Sequence, residues 1–138
     1  MKKFLISALV AVTLSTLSVA NAATLPEGWE EIDSGDQNVS MFGNKDLNTV
    51  VTAAVSPTNG KSIKTIAKTV AKQLTCSEPE QDEDDNDTFT INCENSNNAI
   101  IITKIDDKEF VTVSVTAKSE QGFTAADKFI EEILFSDN

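Results

Sequence analysis

The sequence has no histidine, arginine or tyrosine, one tryptophan, and only two cysteines in 138 residues. Each shortage removes a class of chemistry. Without histidine there is no Ser-His or Cys-His pair in which a base takes the nucleophile's proton. The Ser-x-x-Lys spacing of serine–lysine hydrolysis occurs nowhere, although Ser62 lies near Lys64. Zinc centres draw on His and Cys, which removes a catalytic zinc as well. Without arginine no bidentate phosphate clamp can be built. Sugar clefts pair two carboxylates with aromatic platforms, and Trp29 alone supplies little platform. The chain therefore reads as non-enzymatic, with no cofactor and no metal.

Long apolar runs are scarce too, and the one present lies at the N-terminus. Met1-Lys2-Lys3 is positive, Phe4 to Val12 is apolar apart from Ser7, and Ala20-Asn21-Ala22 is a small-x-small cleavage pattern. This reads as a secretory signal peptide over 1–22, cut after Ala22. A membrane span needs about 20 mostly apolar residues. Thr13, Ser15, Thr16 and Ser18 dilute this one, so no membrane insertion is expected after cleavage. The expected destination is the periplasm, with 23–138 forming a single domain.

What is present in quantity is acid. All 22 Asp and Glu follow the signal segment, against nine of the 11 lysines, giving the exported part a formal charge of −13. Such a surface repels nucleic acid and anionic membranes. In an oxidising compartment Cys76 and Cys93 are expected to form one structural disulfide.

Hydrophobic periodicity supplies the elements. Ile63, Ile66, Ala67, Val70 and Leu74 share one face of a helix over 62–74, with Lys61, Lys64, Lys68 and Lys72 opposite. Strands are expected near Trp29–Ile32, Val39–Asn44, Thr49–Val55, Thr88–Cys93, Ala99–Ile105 and Phe110–Ala117. The last two are joined through Asp106-Asp107. A closing helix is expected from Thr124, capped by its hydroxyl. The fold class is α+β: an antiparallel β-sheet with two α-helices packed on one face and a single disulfide.

Leu25, Pro26, Gly28 and Trp29, followed by the helix from Ser62 and the closing helix from Thr124, resemble small exported domains of the PsbP-like superfamily. That resemblance implies a non-catalytic fold used in docking and assembly, and it carries no catalytic residues.

The most distinctive segment runs from Ser77 to Asp87, with Glu78, Glu80, Asp82, Glu83, Asp84, Asp85 and Asp87 and no apolar side chain but Pro79. It reads as an exposed loop tied between the two cysteines. Asp82, Asp84 and Asn86 match the first ligand positions of a calcium loop, but Asp87 stands where glycine is required and Cys93 where glutamate closes the site. An EF-hand is thereby rejected. The candidate partner-binding residues are Glu80, Asp82, Glu83, Asp84, Asp85 and Asp87, with Asp82 to Asp85 supplying charge that steers a basic protein. Two roles follow as expectations. One is an inhibitor or immunity protein that docks onto a cell-wall hydrolase or toxin. The other is an envelope accessory protein with an inert loop. The pattern fixes no oligomeric state.

Overall fold

The computed structural model describes residues 25–93 and 97–134. The expected signal peptide over 1–22, and Asn95 and Ser96 of the expected turn, lie outside the described residues.

Seven antiparallel strands form one sheet: β1 (Trp29–Ile32), β2 (Val39–Asn44), β3 (Thr49–Pro57), β4 (Glu80–Gln81), β5 (Thr88–Cys93), β6 (Asn98–Lys104) and β7 (Glu109–Ala117). Their spatial order is β1-β2-β3-β7-β6-β5-β4. From β3 the chain crosses through helix α1 (Ile63–Gln73) to the far edge at β4. It then winds back until β7 pairs with β3 from Thr49↔Ala117 to Pro57↔Glu109. Helix α2 (Glu120–Phe129) follows, and the chain widens into a π-helical turn over Ile130–Leu134.

The α+β class, antiparallel sheet, two helices and Cys76–Cys93 disulfide are as expected. The placing of both helices on one face is corrected: they lie on opposite faces. Cross-strand partners share a face, so register and parity decide the matter. Val51, Ala53, Ala99, Ile101, Val113 and Val115 pack with Phe123, Ala126 and Phe129 of α2. Ile100, Ile102, Phe89, Ile91 and Phe110 point the other way, onto Ile63, Ile66, Ala67 and Ala71 of α1. The reason is visible in β6. Ala99-Ile100-Ile101-Ile102 is a continuous apolar run, and such a strand needs cover on both sides.

Helix α1 keeps its expected place. Ser62 Oγ accepts from the Thr65 N–H at 3.2 Å, an N-cap that satisfies one orphan donor. At its C-terminus Cys76 N–H donates to Ala71 C=O at 2.8 Å and Thr75 N–H to Lys72 C=O at 3.2 Å, the paired bonds of a Schellman motif. Leu74, expected on the buried face, is instead 54% exposed, because the chain turns away there. Helix α2 begins earlier than expected. Ser119, not Thr124, caps it by accepting from the Gly122 N–H at 3.1 Å. Phe129 then stacks on Trp29, centroids 4.3 Å apart, and meets Phe42 at 5.0 Å, which fastens α2 to β1 and β2.

Because α1 covers β5 and β6, and α2 covers β3 and β7 from behind, half of one sheet face has no helix of the described residues over it. That half consists of the α1-side residues of β1, β2 and β3 and those of β7 beyond Phe110.

Candidate functional site

The acidic segment is not a loose excursion. Glu80 and Gln81 form the edge strand β4, opposite Thr90 and Phe89 of β5, so the acids at 82–87 cap a short hairpin. Backbone bonds close it: Asp82 N–H donates to Thr88 C=O at 2.9 Å, and Thr88 N–H to Asp85 C=O at 3.2 Å. The Gln81 amide donates to Asn86 C=O at 3.0 Å, and the Lys104 N–H to Asp87 C=O at 3.1 Å. Sequence reading missed β4 because its residues are all polar. Its only signal is pairing, which comes from the neighbouring strand.

Two of the acids are spent on the turn. Asp82, expected to be exposed, is only 9% so, and its Oδ1 accepts from Asp84 N–H at 2.8 Å. Asp85 is half-buried; its Oδ1 accepts from Asp87 N–H at 2.9 Å and its Oδ2 from the Thr88 hydroxyl at 2.9 Å. Thr88 Oγ1 also lies 2.6 Å from Thr103 Oγ1. A hydroxyl has one proton and a carboxylate only accepts, so Thr103 must donate to Thr88 in that pair. A relay of three groups thus runs from the sheet interior to the Asp85 carboxylate. Asx turns of this kind hold a chain that has no apolar side chains to hold it.

The remaining four, Glu80, Glu83, Asp84 and Asp87, are exposed, and Glu78 lies exposed beside them. The ion pairs among the described residues join Lys45 to Glu30, Lys104 to Asp107 and Lys128 to Glu132, so none neutralises the hairpin. One cation, Lys104, lies within the field of the hairpin. Its pKa is raised, first by its hydrogen bond to Asp107 and that group's charge, then by the field of Asp87.

The disulfide ties the hairpin's root. Cys76, just past α1, joins Cys93 at the end of β5 with Cα atoms 4.5 Å apart, and Ser77 N–H donates to Asn92 C=O beside it. Lys61, Lys64, Lys68 and Lys72 are exposed along the outer side of α1. Ser62, the serine nearest a lysine in sequence, is occupied as the helix cap. Among the described residues no three acidic or cysteine side chains converge to hold a metal ion. No described helix is long and apolar enough to cross a membrane.

Two concavities accompany this surface. One, of about 310 Å³, lies between the hairpin and the start of α1, among Thr58, Lys61, Ser62, Asp87, Lys104 and Asp107. The other, of about 380 Å³, lies at the opposite end of the sheet on the helix-free half-face. No protein-family model matches this chain, and no curated protein matches it in sequence.

Proposed function

We propose that this is an exported, non-enzymatic binding protein whose acidic hairpin docks onto a basic protein, acting as an inhibitor or immunity partner of a cell-wall hydrolase or toxin. In this reading residues 1–22 direct export to the periplasm and are removed after Ala22. One observation carries it: four exposed carboxylates, none in an ion pair among the described residues, stand on a hairpin fixed by a disulfide, a strand pairing and Asx turns. A loop already ordered pays little conformational entropy when it docks. Unneutralised charges of one sign draw a basic groove toward it over roughly a Debye length, about 8 Å at physiological salt. Basic wall hydrolases suit such a surface, because their own substrate is anionic.

The test is kinetic. E80Q/E83Q/D84N/D87N removes the free charges and leaves Asp82 and Asp85 to hold the turn. Against the basic protein that the unmodified chain retains, association should slow by about tenfold or more at low salt, and its salt dependence should flatten. Dissociation should change less. Unchanged association would sink the role of the hairpin.

The second reading, an envelope accessory protein of the PsbP-like kind, is favoured by the helix-free half-face of the sheet. In that case the variant binds its partner as the parent does, and binding resists salt.

A further inference from the structure

Across the helix-free half-face, Glu30, Gly43, Val50 and Thr116 are successive cross-strand partners on β1, β2, β3 and β7. They form one row running perpendicular to the strands. Gly43 contributes no side chain to the row, and Ile32 leans into the space: a Cβ at Gly43 would lie 2.9 Å from Ile32 Cδ1. The result is the concavity of about 380 Å³, with Ile32 and Val50 in its floor. Small-molecule sites are commonly about 300–1,000 Å³, apolar, with a few polar groups that fix orientation.

The polar groups here go against the charge of the whole molecule. Lys45 and Lys118 line this trough in a protein whose acids outnumber its lysines two to one. Lys118 forms no ion pair among the described residues. Lys45 stands 3.7 Å from Glu30, which also lines the trough, and both side chains are largely exposed. Such a pair is weak and is given up readily for a better partner.

We propose that this trough binds a long-chain carboxylate, its acyl chain lying over Ile32, Gly43 and Val50 and its anionic head between Lys45 and Lys118. The apolar floor supplies affinity without selectivity of charge, and the two lysines supply the choice of an anion. A second copy of the chain fits less well, because two strongly acidic molecules would have to be brought together face to face. The trough and the hairpin lie at opposite ends of the sheet, so either can be destroyed alone.

Calorimetric titration of the purified protein with dodecanoate, kept below its micellar concentration, tests this against dodecyltrimethylammonium of equal chain length. The net charge of the protein favours the cation, so a preference for the anion must come from the local lysines. Dodecanoate should bind at one per chain and more tightly than the cation. K45E/K118E, which changes only exposed side chains, should weaken it by about tenfold or more. T116W, which fills the trough from an exposed position, should do the same, with circular dichroism checking that both variants stay folded. The proposal is overturned if dodecanoate does not bind, or if the cation binds as well. It is also overturned if either variant retains parental affinity. A concentration-dependent dimer in sedimentation that T116W abolishes would likewise overturn it, by giving the face to a second copy.

Discussion

Thr75 adopts φ +55°, the left-handed conformation that ends α1, where glycine is the usual occupant. A β-branched residue there meets its own following carbonyl, at a cost of about 1–2 kcal/mol. Thr75→Gly should therefore stabilise the fold, by about 0.5–1 kcal/mol once the greater freedom of an unfolded glycine is subtracted. Urea unfolding monitored by circular dichroism reads this directly, and a loss of stability would contradict it. Gly122 is the opposite case. It sits buried in α2 with an ordinary backbone, yet a Cβ there would collide with Thr49 Oγ1 and come within 3.0 Å of Ala117 Cβ. Gly122→Ala should destabilise by about 1–3 kcal/mol despite alanine's better helix propensity. An unchanged unfolding midpoint would mean that α2 shifts freely on the sheet. Neither effect is legible in the sequence. Thr124 with Asp127 three residues on offers a near capping box, and a glycine two residues before Thr124 does not advertise a close approach to β3.

Among the elements, α1 and the central strands were legible because their apolar residues repeat at the helical and strand periods. The hairpin β4–β5 was only half legible. Its second strand alternates Phe89, Ile91 and Cys93, but its first has only Glu80 and Gln81, whose order comes from pairing and from the Asp82 and Asp85 turns. An acidic run normally means a solvated loop. Here two of its carboxylates serve as the acceptors that fold the other four into place. The disulfide secures this unit at its root, with 16 residues between the cysteines. Its removal by C76S/C93S should cost roughly 3 kcal/mol in the chain-entropy model. The loss should fall first on amide exchange protection at Glu80, Asp82 and Thr88. Uniform loss across the sheet would show that the bond supports the whole domain rather than the hairpin.

At the scale of the whole molecule, the fold follows from a sheet that must be covered on both sides only where both sides are apolar. β5 and β6 carry apolar residues facing α1, and β3, β6 and β7 carry them facing α2. Val111, Val113 and Val115 of β7 alternate with polar residues, a pattern that by itself asks for cover on one side only. Neighbouring β6 alternates nothing in its run from Ala99 to Ile102 and demands two layers. The consequence is a molecule with distinct ends: an acidic hairpin at the β4 edge, and an open, lysine-rimmed half-face toward β1. The proposed function rests on the first of these. It is tested most directly by retaining periplasmic proteins on immobilised parent chain and on E80Q/E83Q/D84N/D87N side by side, then eluting with a salt gradient. The account predicts a basic protein held by the parent, released at moderate salt, and absent or released much earlier from the variant. A partner held equally by both, and resistant to salt, would contradict it.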